Sequence, residues 1–400
     1  MTSKKRFCSA LLGGRVDRPP FTAGSNLTLE LAETAGVKWP DCIIKAEEMA
    51  KFNIARVEAW GCDTIISNND MPAEAWAFGG TLGGETETKF MTKTIDVGGG
   101  VTAEYPVAVS GDIIINLGSP STNPSVFKSP CKDKNPKDVS VPDNLLEHDK
   151  HQELMKEIEI ETEAYDDTVA VIRLISMPAT LAGFIFGTER LCRVSKTDPD
   201  KFRDMLEMAA DIDIEIALDS AAHGADAFYL CDPTATTDLF DPKDFGEYIL
   251  PTYQRIAKKL SNWPTYVHIC GTAGPLAPYI KHSGFDGWSF EYPGVPGGVP
   301  YVKSVLGDEM STIGAVQTVA TLMNGTPEDV KKESLWWLRQ GIDVLMPACG
   351  TPAPATNANM RAMHEAVMEF MEETDNMSST RWKVSEFMSG LHAGLKERGR

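Results

Sequence analysis

The chain has 400 residues, 42% of them hydrophobic and 24% charged, enough apolar material for the core of a single α/β barrel with insertions. Lys+Arg 38 against Asp+Glu 57 leaves a net charge of −19. That balance argues against nucleic acid and anionic membrane surfaces as partners, since both are bound through basic groups, and solubility is its plain role.

The apolar part of the N-terminal stretch Met1–Gly14 is too short for a secretory signal or a spanning helix. No other stretch reaches the length a membrane crossing needs, so a cytoplasmic protein with no membrane partner is expected. Eight cysteines then read as reduced thiols rather than a disulfide framework. Cys8, Cys42, Cys62, Cys131, Cys192 and Cys231 sit in apolar or irregular surroundings and read as small buried hydrophobes; Cys231, beside Asp232, is the one to watch.

In chain order, a helix is expected from about Lys4 to Leu12, followed by an extended Pro19-Pro20 entry and a short first strand, Phe21–Gly24. Helical spacing of Ile44, Met49, Phe52, Val57 and Trp60 predicts a long helix from about Asp41 to Trp60, and Thr64-Ile65-Ile66 a second strand. The stretch from about 80 to 165 breaks the rhythm with glycine runs and Pro-Ser-Thr punctuation. It reads as an insertion after the second strand, partly a hairpin around Thr102–Val107, ending in an acidic helix from about Asp149. Regular alternation then follows, with strands at Val171–Ile175, Asp226–Leu230, Tyr266–Ile269, Asp286–Phe290, Ser311–Val316 and Asp343–Met346, each followed by helical material. A helix from Pro327 to Gln340 and another after Pro354 belong to this part. The tail from Arg381 to Arg400 reads as a helix packed on the barrel or on a neighbouring subunit, which leaves a homodimer open.

Eight short, apolar, β-branched runs suit strands buried on both faces of a parallel sheet. The expected fold is α/β: a (β/α)8 TIM barrel spanning 1–400 as one domain, with an N-terminal helical extension. An open doubly wound sheet is the structural alternative. No P-loop and no Gly-x-Gly-x-x-Gly after a strand indicates a nucleotide.

Barrel chemistry sits at the C-terminal ends of strands. Those ends carry Asn68, Asn69 and Asp70, then Met177-Pro178, Asp232, His268 with Cys270, Glu291 and Cys349. Side chains two apart on a strand leave the same face, so His268 and Cys270 form a pair of ligands suited to zinc. Cys349 before Gly350 at another strand end adds a second thiolate. Three protein ligands with a replaceable fourth describe a catalytic zinc site. The bland alternatives are a packed histidine beside buried thiols, an ion-paired Glu291, and Asp232 as a helix cap or loop anchor.

On these residues the chain resembles the methylcobamide:coenzyme M methyltransferases of the uroporphyrinogen decarboxylase superfamily. The resemblance is carried by TYVHICG at Thr265–Gly271, SGFDGWSFE ending at Glu291, and GIDVLMPACGTPAP at Gly341–Pro354. Asp17-Arg18-Pro19, Glu74-Ala75-x-Ala77-x-Gly79, Pro178–Ala182 and Gly224–Pro233 agree further, and about Thr81–Glu163 falls outside the likeness. The resemblance implies that His268, Cys270 and Cys349 bind zinc. It places on Glu291 the carboxylate near the metal, displaced when thiol binds. It also implies a methylated corrinoid (methylcobamide) brought by a carrier protein and a thiol such as coenzyme M as acceptor. Asp232 is then expected to orient a ligand or line the pocket, with Asn68, Asp70 and Met177 near the substrate.

The carrier's own cobalt-ligating Asp-x-His-x-x-Gly is not matched. Asp149-Lys150-His151-Gln152-Glu153-Leu154 lacks the glycine and reads as a solvated helix face. Three readings compete: a corrinoid-dependent O- or N-demethylase using Asp232, Glu247 and His268; a uroporphyrinogen decarboxylase-like enzyme, whose arginine-rich substrate motif is not evident; and a non-catalytic corrinoid or metal store.

Overall fold

The computed structural model describes residues 1–38, 41–67, 71–79, 89–96, 102–110, 113–116 and 124–378. Asn68, Asn69, Asp70 and the tail expected to form a helix from Arg381 lie outside the described residues.

The strands in chain order are β1 (Thr64–Ser67), β2 (Lys89–Asp96), β3 (Thr102–Ser110), β4 (Ile113–Asn116), β5 (Ser125–Lys128), β6 (Ala170–Ser176), β7 (Ala227–Cys231), β8 (Thr265–Ile269), β9 (Gly287–Phe290), β10 (Ser311–Val316) and β11 (Val344–Pro347). β1 and β6 through β11 form one seven-stranded sheet in sequence order, every pair parallel. The expected first strand at Phe21–Gly24 is reduced to one bridge: Phe21 pairs in parallel with Leu345. The Thr22 N–H donates to the Leu345 carbonyl at 3.0 Å, and the Asp63 N–H to the Phe21 carbonyl at 2.7 Å. This segment therefore touches both edge strands of the curled sheet. Pro19-Pro20 cannot donate ladder hydrogen bonds, which keeps the pairing short.

Every residue of these seven strands is buried, and alternation divides them into two layers. Ile66, Ile172, Leu174, Tyr229, Cys231, Tyr266, Ile313 and Met346 pack inside the curl. Val171, Ile175, Leu230, Val267, Ile269 and Trp288 face the helices. The first helix, α1 (Ser3–Leu11), adds Phe7, Ala10 and Leu11 to the inner cluster. The Ser311 hydroxyl donates to the Ala10 carbonyl at 2.8 Å, and the Phe7 ring meets Tyr266 edge-on at 6.1 Å. α1 thus covers the N-terminal end of the sheet. Beside it, Asp63, fully buried, accepts from Arg6 at 2.7 Å, from Arg18 at 2.7 and 2.9 Å, and from the Phe21 N–H at 2.9 Å.

The next α-helices in the chain are α2 (Leu29–Ala35), α3 (Ala46–Trp60), α4 (Asp149–Tyr165) and α5 (Pro178–Phe186). Between β1 and β6 lies a separate antiparallel sheet in the order β2-β3-β4-β5. The expected hairpin around Thr102–Val107 is formed by β2 and β3, which pair antiparallel from Lys89 opposite Val109 to Asp96 opposite Thr102. The Asp149–Leu154 stretch is no solvated face: Lys150, His151 and Leu154 are buried. α4 lies against α3, where the Lys150 ammonium reaches the Ile43 carbonyl and His151 Nε2 meets Asp219 at 2.7 Å. The Asn53 amide donates to Glu157 and Glu161 at 2.9 and 2.7 Å. Polar residues on α4 were hidden by pairing, which hydropathy alone does not register.

Candidate metal centre

Parallel register sets the site. On β7, β8 and β9, Cys231 pairs with His268 and His268 with Ser289, so their side chains leave the sheet on its inner face at one level. Cys270 follows two residues after His268, just past the end of β8, and Cys349 two residues after the end of β11. Among the described residues, His268, Cys270 and Cys349 are the group of His, Cys, Asp and Glu side chains that could hold a metal. Their ligand atoms all lie within 4.8 Å of one another.

His268 is 2% exposed. Its Nδ1 lies 3.0 Å from the Ser289 hydroxyl, and its Nε2 is buried without a hydrogen-bond partner. A histidine that ligates through one nitrogen has its ring fixed by a partner on the other, and here the buried nitrogen without a partner is the one left for a ligand bond. The sulfurs pull each other's proton affinity in opposite directions. A hydrogen bond from Cys270 and the nearby His268 hold the Cys349 thiol well below its ordinary range, against burial. The same bond, then burial, pushes Cys270 well above it. Two sulfurs and an imidazole nitrogen, one of them orphaned in a buried setting, fit a zinc ion.

Glu291 stands just outside this group. Its Oε2 accepts the Gly271 N–H at 2.9 Å, and its charge is felt by Cys270. Asp232 is fully buried and fully engaged. Its oxygens accept the Thr180 N–H and hydroxyl at 2.8 and 2.7 Å, the Ala179 N–H at 3.2 Å and the Tyr253 hydroxyl at 2.9 Å. The contacts are those of an anchor for the start of α5, where a carboxylate also suits the helix dipole; burial still raises its pKa to about 6. Met177 is 0% exposed within the helix-facing core, and its N–H donates to the Cys231 carbonyl at 2.8 Å. Cys231 lies on the inner face below the sulfur pair; burial pushes its thiol well up. The alternative set Asp232, Glu247 and His268 is not assembled, for Glu247 is exposed on the π-helix Phe245–Ile249.

Sequence reasoning missed Ser289. The signal was available: Gly287, Ser289 and Glu291 share one face by strand alternation, two of them opposite His268 and Cys270.

Comparison with known proteins places the chain in a family. The family profile described as Uroporphyrinogen decarboxylase (URO-D) matches residues 2–92 and 113–370. A Methanosarcina mazei protein named methylated-thiol–coenzyme M methyltransferase is 31% identical over 99% of this chain and 97% of its own length. A Methanosarcina barkeri protein named methylcobamide:CoM methyltransferase MtaA is 27% identical over 92% of this chain and 98% of its own. A solved structure described as a methyltransferase from Methanosarcina mazei superposes with a TM-score of 0.81 at 26% identity, covering 92% of this chain and 99% of that one. The chain belongs to the uroporphyrinogen decarboxylase family and, within it, to the methylcobamide:coenzyme M methyltransferases.

Proposed function

We propose that this protein is a zinc-dependent enzyme that moves a methyl group from a methylated corrinoid protein to a thiol such as coenzyme M. The observation that carries the reading is the convergence of His268, Cys270 and Cys349 within 4.8 Å at the C-terminal end of the sheet, with His268 Nε2 buried and unpartnered. In support, the relatives are named as methyltransferases of coenzyme M, one of them a methylcobamide:CoM methyltransferase. We also read the seven parallel strands and the Phe21 segment as one closed (β/α)8 barrel within a single domain spanning 1–400, with α1 as its N-terminal extension.

His268, Cys270 and Cys349 would hold the metal, and zinc bound there would strip the proton from a thiol at neutral pH. Ser289 keeps the His268 ring oriented, so that Nε2 faces the sulfurs. Glu291, tethered through one oxygen to Gly271, has the other to take the fourth position or the substrate's proton. The resulting thiolate would attack the methyl carbon of the methylated corrinoid, the C–S bond forming as the Co–C bond breaks and both electrons of that bond staying with the corrinoid. Asp232 secures the α5 end of the mouth in this reading.

The β1-to-β6 connection leaves from this same end, so the sheet β2–β5 is read as an inserted docking or lid element for the carrier. Among the described residues no helix is long and apolar enough to cross a membrane, in keeping with a carrier met in solution.

The test is zinc stoichiometry together with demethylation of methylcobalamin by a panel of thiols including coenzyme M. About one zinc per chain and thiol-dependent turnover are expected. Absence of zinc from the wild-type protein sinks the reading. Zinc present with thiols inert and aryl methyl ethers active moves it to the demethylase.

A further inference from the structure

Each candidate sulfur ligand is followed by a glycine, Cys270-Gly271 and Cys349-Gly350, and each of these turns is gripped by a glycine from a different loop. Gly294, just past β9, lies so close to the Gly271 carbonyl that a Cβ on it would sit 1.8 Å from that oxygen and 2.6 Å from its carbon. The Gly294 carbonyl in turn accepts the N–H groups of Ala273 and Gly274, each at 3.1 Å. On the other side, Gly24 faces the Cys349 backbone. A Cβ there would stand 2.6 Å from the Cys349 carbonyl oxygen and 2.9 Å from the Thr351 nitrogen. Thr351 N–H donates to Ser25 at 2.8 Å, and Ala348 N–H to Val316 at 2.7 Å, so the ligand is held from both flanks. In all these near-contacts the opposing atoms are backbone, which has no rotamer to yield with.

The geometry points to Gly24 and Gly294 as positioning residues for the two sulfur ligands, an inference that rests on the metal reading above. Metal–sulfur distances tolerate errors of only about 0.2 Å. Carbon and carbonyl oxygen do not approach within about 3 Å, so an added methyl pushes the facing ligand turn by roughly 0.4 Å at Gly24 and roughly 1.2 Å at Gly294. The displaced atoms belong to Cys349 itself in one case and to the residue after Cys270 in the other. A fixed three-ligand geometry thus depends on two side chains being absent. By contrast, a Cβ at Gly350 would meet the Asn26 side-chain nitrogen, at 1.9 Å, a side-chain and not a backbone atom.

The experiment compares wild type with Gly24→Ala, Gly294→Ala and Gly246→Ala. The last creates an equally tight contact, 2.2 Å to the Tyr279 ring, but in the π-helix Phe245–Ile249, outside both ligand turns. Zinc affinity is read by competition with a chelator, and ligand geometry by the sulfur-to-metal charge-transfer absorbance of the Co(II)-substituted protein; melting curves report the fold. Expected are losses in affinity of about 10-fold for Gly24→Ala and about 100-fold for Gly294→Ala, with weakened charge transfer in both. Gly246→Ala is expected to melt earlier and bind as wild type. Wild-type affinity in both Gly24→Ala and Gly294→Ala overturns the inference. So does equal weakening in all three, or failure of the first two to fold while Gly246→Ala folds, for then the glycines serve the fold and not the ligands. Absence of zinc from wild type is a separate result, which removes the metal reading and this inference with it.

Discussion

The two ends of the curled sheet bury polar groups on opposite terms. At the N-terminal end, Asp63 is met by Arg6, Arg18 and the Phe21 N–H. At the C-terminal end, His268 Nε2 is buried without a hydrogen-bond partner, beside two sulfurs whose proton affinities are pushed in opposite directions. Burying an unpaired polar atom costs free energy. A chain that satisfies Asp63 so fully and leaves His268 wanting has its strain where a ligand can relieve it. The difference separates the end that holds the fold from the end reserved for chemistry.

The largest expected effect lies at the chemical end. Cys270→Ala should abolish zinc binding and methyl transfer, while the metal-free variant stays within roughly 2 kcal/mol of metal-free wild type. Retained stoichiometric zinc would break the comparison. Asp63→Ala should do the reverse, costing about 3–5 kcal/mol in urea unfolding by taking the carboxylate from Arg18 and the buried Phe21 N–H, while Arg6 keeps its bonds to Asp17 at 2.6 and 2.8 Å, with zinc affinity of the folded fraction unchanged. Ser289→Ala, measured by zinc competition, should weaken binding by about 10- to 100-fold without a comparable loss of stability; an unchanged affinity would show that the Nδ1 contact is incidental.

The smallest effect concerns pH. Burial lowers the pKa of His151 from the ordinary imidazole value, despite its bond to Asp219. A depressed folded pKa means the native state binds fewer protons. The stability it confers is full above about pH 6.5 and is lost as pH falls below that. His151→Gln should therefore flatten the acid limb of the stability curve by up to about 1.4 kcal/mol per pH unit. His364, similarly lowered by burial, would leave a remainder. An unaltered slope would show that His151 charges freely in the folded state.

Much of this was legible in the residues themselves. Runs such as Val171–Ile175 and Tyr266–Ile269 are apolar on both faces because both faces are covered, and His268-x-Cys270 announces its shared side through strand alternation. Cys349 could be placed because it ends another such run. What escaped depended on partners far along the chain. Phe21–Gly24 has strand-like residues, but the prolines before it leave only a bridge. Lys150 and His151 look solvent-facing until Ile43 and Asp219 are seen to receive them. Asp232 shows its commitment to α5 and Tyr253 only once those donors are brought to it, and Gly24 carries no local sign that it lies against Cys349.

Phe7, Ala10 and Leu11 of α1 fill the far end of the curled sheet, so in the proposed reaction both reactants would reach His268 from the C-terminal end. A docked carrier protein would cover that end, and the small thiol is then expected to enter before it and the methylated product to leave after it. Transfer should accordingly follow a compulsory order. The thiol should bind in titration calorimetry with no carrier present, and carrier added first should slow its arrival; equal arrival rates in both orders would mean a second way in.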